Sequence, residues 1–175
     1  MIKLKDLLLE GKPPSIFIPR RLEDRVERLI KQYIRNGSKG DLDLSDLKLT
    51  VLPDILKNIS VGGNFYCSRN NLTKLINAPK FVDGNFWCGN NNLTSLQGAS
   101  TNVGISFYCN NNKLTSLEGA PKSVGGSFGC DNNLLTSLAG APKTVGGLFD
   151  CTGNPGKFTE EQVRAVCDVK GKVYV

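Results

Sequence analysis

Five cysteines, Cys67, Cys88, Cys109, Cys130 and Cys151, stand 21 residues apart, and this period limits the possible folds more than any other feature of the chain. Other columns keep the same phase. Phe65, Phe86, Phe107, Phe128 and Phe149 stand two residues before the cysteines, and Val61, Val82, Val103, Val124 and Val145 six before. Asn70, Asn91, Asn112, Asn133 and Asn154 stand three after. Leu72, Leu93, Leu114 and Leu135 stand five after, and Leu75, Leu96, Leu117 and Leu138 eight after. Self-similarity at such a period marks a chain that stacks one small unit on the next. A single unit cannot bury its own apolar side; its neighbours do so.

Residues two apart on a strand share a face, so Phe65 and Cys67 point together while Tyr66 points away. Each strand should pair in parallel with its counterpart ~4.8 Å away, stacking the inward residues into columns. The glycine pairs Gly62–Gly63, Gly125–Gly126 and Gly146–Gly147 call for positive φ or for close backbone approach. Ala-Pro at 78–79, 120–121 and 141–142 blocks helix and favours an extended return path. Two coils deviate, one with Asp83–Gly84 for the glycine pair, the next with Ser100 for proline and Gly104–Ile105 for the pair.

A divergent first copy precedes these. Leu42, Leu44, Leu47, Leu49 and Leu52 have the internal spacing of Phe65, Cys67, Asn70, Leu72 and Leu75, but 23 residues earlier. The run from Leu42, L-D-L-S-D-L-K-L-T-V-L-P, resembles the leucine-rich repeat pattern L-x-L-x-x-N-x-L-x-x-L-P, and the resemblance extends over residues 42–154. The short unit resembles the compact bacterial and viral kind. It departs from the pattern in placing Phe and Cys where Leu is usual and in its Val-Gly-Gly turn. The resemblance implies a leucine-rich-repeat-like solenoid of about six coils, with a parallel sheet on one face and mostly irregular return segments. It also implies that the asparagine column satisfies backbone groups where the chain leaves the strand, in its own coil and again in the next. A buried amide without partners there would cost ~1–3 kcal/mol.

Solenoid ends need caps. Pro19 suits a helix start, Leu22, Val26, Leu29, Ile30, Tyr33 and Ile34 make one apolar stripe, and Gly37 suits the stop. Thr159-Glu160-Glu161-Gln162 reads as a capping box opening a short helix with Val163, Val166 and Cys167 on its apolar side. Residues 173–175 add a last strand. The expected organisation is a leader and linker over 1–18, a helical cap over 19–41, the solenoid over 42–154 and a terminal cap over 155–175.

Catalytic chemistry finds little to work with. The chain has no histidine, which removes the Cys–His nucleophile pair and the commonest general base. One cysteine per strand arrays thiols along a line, whereas zinc needs four ligands converging on a point. Buried cysteine packs as a small hydrophobe, so the column and Cys167 are assigned to the core, with no metal and no cofactor. Asp43 and Asp46 are ordinary outward charges, Glu160 and Glu161 suit a helix start, and no phosphate-binding glycine loop is present. We expect no enzyme. The longest apolar runs, such as Leu7–Leu9, are far short of the ~20 residues that span a bilayer, so no membrane partner is expected. The net charge of +6 lies mostly in residues 1–41, mixed with acidic neighbours; this reads as a solvated helix face and not as a nucleic-acid tract. Lys80, Lys122 and Lys143 form a row suited to solubility.

The outward column Tyr66, Trp87, Tyr108, Gly129 and Asp150 is the candidate site. In leucine-rich-repeat proteins this face is the concave binding surface. Three aromatics in adjacent strands form an exposed stripe of the kind that marks interaction sites, rimmed by Asn64, Asn85, Arg69, Asn110 and Asp131. Aromatic anchors in a polar rim are the chemistry of a protein hot spot. A protein partner, a host protein or a capsid component, is the first expectation and a glycan the alternative; the other reading of the trio is that the rings stack and stiffen the sheet. The leader Met1–Gly11 resembles the capsid-targeting peptides of large tailed phages, cut after Leu/Ile-x-Glu. This would place a processing site at Leu8, Glu10 and Gly11 and make the chain a structural or internal virion component of such a phage. With no secretion signal legible, the expected location is the host cytoplasm or the virion interior.

Overall fold

The computed structural model describes residues 19–175, with side chains from residue 26 onward; the leader with Leu8, Glu10 and Gly11 lies outside them, as does the side chain of Leu22. From Leu42 the chain winds as a solenoid. Its first sheet takes one two-residue strand per coil: β1 Leu42–Asp43, β3 Phe65–Tyr66, β5 Phe86–Trp87, β7 Phe107–Tyr108, β9 Phe128–Gly129, β11 Phe149–Asp150 and β13 Val173–Tyr174. Every neighbouring pair is parallel and in register, Phe86 on Phe107 and Trp87 on Tyr108 for example.

A second ladder runs along the return side, beyond the irregular segments expected there. Among the described residues it has six parallel strands: β2 Ser60–Val61, β4 Phe81–Val82, β6 Asn102–Val103, β8 Ser123–Val124, β10 Thr144–Val145 and β12 Asp168–Val169. Each strand offers one inward residue, the valine, and all six valines are buried.

Between the ladders lies an apolar interior. Phe65, Phe86, Phe107, Phe128 and Phe149 are fully buried, with ring centroids 5.1, 5.1, 5.7 and 5.2 Å apart in succession. Such pairs contribute ~0.5–1.5 kcal/mol each beyond area burial. The cysteine column is buried beside them, and all six thiols are free. Among the described residues no group of His, Cys, Asp or Glu could hold a metal ion, and no helix is long and apolar enough to cross a membrane.

The asparagines connect one coil to the preceding one. Asn112 Nδ2 donates to Cys109 O at 3.0 Å in its own coil and to Cys88 O at 3.1 Å in the coil before, while its Oδ1 accepts from Leu93 N at 2.9 Å. Asn91, Asn133 and Asn154 repeat the pattern. Asn70 accepts from both Leu47 N and Leu49 N at 3.0 Å. It thus serves the first coil, whose own asparagine position holds Leu47.

The two conformational uses of glycine fall at different places. The glycine pairs have ordinary φ and mark close approach: a Cβ on Gly125 or Gly146 would strike the carbonyl oxygen of Gly104 or Gly125 in the coil before. Positive φ falls instead on the glycines before Ala-Pro or Ala-Ser, Gly98, Gly119 and Gly140. It also falls on the residue before each ladder asparagine, namely Arg69, Asn90, Asn111, Asn132 and Gly153. Asn and Gly tolerate that region best.

Both ends are closed. The helix Pro19–Arg35 buries Val26 and Ile30, and Gly37 (φ 82°) ends it as Ser38 N–H reaches Tyr33 O at 3.1 Å. It packs on the 3-10 turn Asp54–Asn58, which takes up the two extra residues of the first coil. At the far end Thr159 and Gln162 form the capping box of helix Glu160–Val166. Val163 and Cys167 are buried, but Val166 is exposed, contrary to its expected place on the apolar side. A seven-residue helix has a narrow inward face, and the chain turns out of it at Cys167 into β12. Residues 155–175 thus add a strand to each ladder.

Candidate functional site

The outward side of the first sheet carries one column directly above the phenylalanines. In register it reads Asp43, Tyr66, Trp87, Tyr108, Gly129, Asp150 and Tyr174. The three central rings are half-buried by one another. Tyr66 and Trp87 stack with centroids 6.4 Å apart and planes 10° from parallel, and Trp87 and Tyr108 stack at 4.0 Å and 19°. Stacking and partial exposure therefore hold together, and the two readings of the trio do not exclude each other. Each ring lies against a neighbour, so the stripe shows edges outward.

Gly129 decides how the stack ends. A Cβ there would stand 2.8 Å from Tyr108 Cδ1, within the space the tyrosine ring already takes. Tyr108 therefore leans over β9, held by Trp87 behind and a bare backbone beneath. Asp131 lies beside the same glycine, its Oδ1 3.7 Å from that Cβ position. Burial pushes the Asp131 carboxyl above its usual range; the Asn132 amide opposes this and the charge of Asp150 adds to it. At the other end burial raises the Tyr66 phenol, and the charges of Asp41 and Asp43 raise it further.

The polar rim is partly committed to the fold. Asn64 Oδ1 accepts from Asn85 N–H and Nδ2–H at 2.8 and 2.9 Å, and Asn85 Oδ1 accepts from Ser106 N at 3.0 Å. The ladder starts at Asp41, whose Oδ1 accepts from Asn64 N at 2.8 Å. Arg69 forks onto Asp46 through Nε at 2.8 Å and Nη2 at 2.9 Å. Asn110 lies over Gly89, where a Cβ would come 2.6 Å from its Oδ1. Asn64, Asn85 and Asn110 thus flank the strands that carry the trio, Asp131 lies beside Gly129, and Arg69 is engaged by Asp46 one coil back.

The sequence reading passed over Asp43 and Tyr174 as members of this surface. The signal was available, since both stand in the column of Tyr66. The end coils break the 21-residue step, to 23 for Leu42–Phe65 and 24 for Phe149–Val173, which hides them from a strict count.

No family model matches the chain, and no curated protein is similar to it. Among solved structures, the LRR domain of a Shigella effector aligns over 97% of this chain and 94% of that chain, at 14% identity and a TM-score of 0.36. The two-residue strands, the inward columns and the asparagine ladder define the architecture from the chain's own geometry. It is a leucine-rich-repeat-like solenoid. Stacked-repeat proteins of this shape generally serve as binding scaffolds, because the repeat spreads one surface over many coils.

Proposed function

We propose that this solenoid is a non-catalytic scaffold that binds a protein partner through the sheet face centred on Tyr66, Trp87 and Tyr108. The supporting observation is the trio itself. Three large rings stand half-exposed on the side of the sheet opposite a complete core. The fold therefore has no need of them for interior packing. Aromatic anchors held rigid by their neighbours lose little entropy on binding. The absence of histidine from the chain and the deep burial of the thiol column fit a role without covalent chemistry.

The test is the variant Y66A/W87A/Y108A, compared with the parent chain by pull-down from host lysate. Capture of the partner should be lost while the circular dichroism spectrum and the melting curve stay near those of the parent. Undiminished capture by a folded triple variant overturns the proposal.

A further inference from the structure

The aromatic face and the rest of the molecule carry opposite charge. The chain as a whole is +6. Among the described residues its outward first-sheet face nevertheless holds five carboxylates, Asp41, Asp43, Asp46, Asp131 and Asp150, against two cations, Arg69 and Lys172. Arg69 is taken up by Asp46. A basic protein has thus gathered a surplus of negative charge around its exposed rings. We infer that the partner segment seated on this face is a cationic, extended stretch of polypeptide. This inference rests on the proposed binding role of the trio.

The stack also sets where positive side chains would sit. Trp87 stands between Tyr66, parallel at 6.4 Å, and Tyr108, stacked at 4.0 Å. The stack therefore has two outer ring faces, one at each end. That of Tyr66 is turned toward Asp43, its register partner on β1. That of Tyr108 is turned along the ladder over Gly129 toward Asp150, with Asp131 at the side and Tyr174 beyond. Each end therefore combines an aromatic face with at least one carboxylate. A guanidinium or ammonium group gains from both, by cation–π attraction and by charge. A neutral sugar ring packs on an open aromatic face. Here both outer faces stand beside carboxylates, which favour a cation over a neutral ring, and the outward surface of the stack is edge. A nucleic acid would meet the negative charge directly.

The two ends are about four strand steps apart, ~19 Å at ~4.8 Å per step, and an extended chain covers that in about six residues. Two basic side chains at that separation would reach both ends at once, with the chain between them lying across Trp87.

The experiment follows the fluorescence of Trp87, the single tryptophan, during titration of the full chain with a capped peptide of two arginines separated by five serines. A second peptide carries glutamates in place of the arginines, and chitohexaose is the glycan probe. The di-arginine peptide should bind at least about tenfold more tightly than the glutamate peptide, and its affinity should fall as salt rises. The variants D43N and D131N/D150N keep the oxygen acceptors that Ser45 N and Thr152 N use, so both should fold. Each should lower di-arginine affinity by roughly threefold to tenfold. Equal binding of the two peptides, or no change in D131N/D150N, overturns the inference. So does tighter binding of chitohexaose, or a dimer in sedimentation that the D131N/D150N variant abolishes, because a sugar or a second copy would then be the occupant. Loss of partner capture in Y66A/W87A/Y108A alongside full capture in D43N/D131N/D150N would remove the cationic partner and leave the aromatic scaffold standing. Capture undiminished in both would remove the scaffold reading itself.

Discussion

Truncating Asn112 to alanine isolates what the asparagine ladder contributes. Its Oδ1 accepts from Leu93 N at 2.9 Å, and its Nδ2 donates to Cys88 O and Cys109 O at 3.1 and 3.0 Å. The carbonyls do not lose everything, since Cys88 O still accepts from Asn91 at 3.1 Å and Cys109 O from Asn133 at 3.1 Å. The buried Leu93 N–H loses the acceptor that held it. Leaving such a donor unpaired costs ~1–3 kcal/mol, and each lost second bond to a carbonyl ~0.5–1.5 kcal/mol. We expect Asn112→Ala to destabilise the protein by about 3 kcal/mol, near the low end of the summed terms because the neighbouring amides can shift toward the carbonyls they share. With a urea slope of ~2 kcal/mol per molar, the midpoint should fall by about 1.5 M. Asn154→Ala is the internal comparison. Asn154 makes the corresponding bonds to Leu135 N, Cys130 O and Cys151 O but is only half-buried, so water can replace part of what is lost. Its midpoint should fall by less than half as much. Urea titrations followed by circular dichroism read both. A midpoint for Asn112→Ala within ~0.3 M of the parent, or below which Asn154→Ala falls, would refute the ladder as a source of stability.

Alkaline pH should destabilise the chain through its thiols. Burial raises Cys67, Cys88, Cys109 and Cys130 far above the usual thiol range and pushes Cys151 and Cys167 up to about 11. A group whose folded pKa is raised contributes stability fully present below its unfolded value, ~8.5, and lost as pH climbs toward the folded one; the slope reaches ~1.4 kcal/mol per pH unit for each thiol. Urea midpoints should be level from pH 6 to 8 and drop steeply by pH 10, and a level profile to pH 10 would contradict the buried cysteine column. Gly125→Ala places a Cβ against Gly104 O, backbone against backbone, where neither coil can give way without parting from the other. We expect a loss of ~2–3 kcal/mol, or about 8 °C in melting temperature, and a melting curve that overlays the parent would show that the coils are not in such close contact.

Much of this architecture was legible in the chain itself. A side chain repeated every 21 residues has to land above its predecessor once strands pair in register, so Phe65 to Phe149 and Cys67 to Cys151 could be placed inside without coordinates. The helix with Val26 and Ile30 and the Thr159 capping box were equally readable, because helix caps and stripes depend on residues within a turn of one another. The second ladder was not. Its strands are two residues long with a single inward valine, too short for alternation to appear. Nor could the sequence choose between the two uses of glycine, since close approach is set by the next coil's backbone and not by local preference. It also placed the asparagines' second set of bonds in the next coil, whereas the folded chain sends them to the preceding one.

The face followed the same division. Tyr66, Trp87, Tyr108, Gly129 and Asp150 were visible as a column, but the stacking of the rings, the lean of Tyr108 over Gly129 and the placing of Asp43 at the other end of the stack came only with the folded chain. Periodicity along the chain specifies which side a residue takes. Distances across strands that are 21 to 24 residues apart in sequence decide what it touches there.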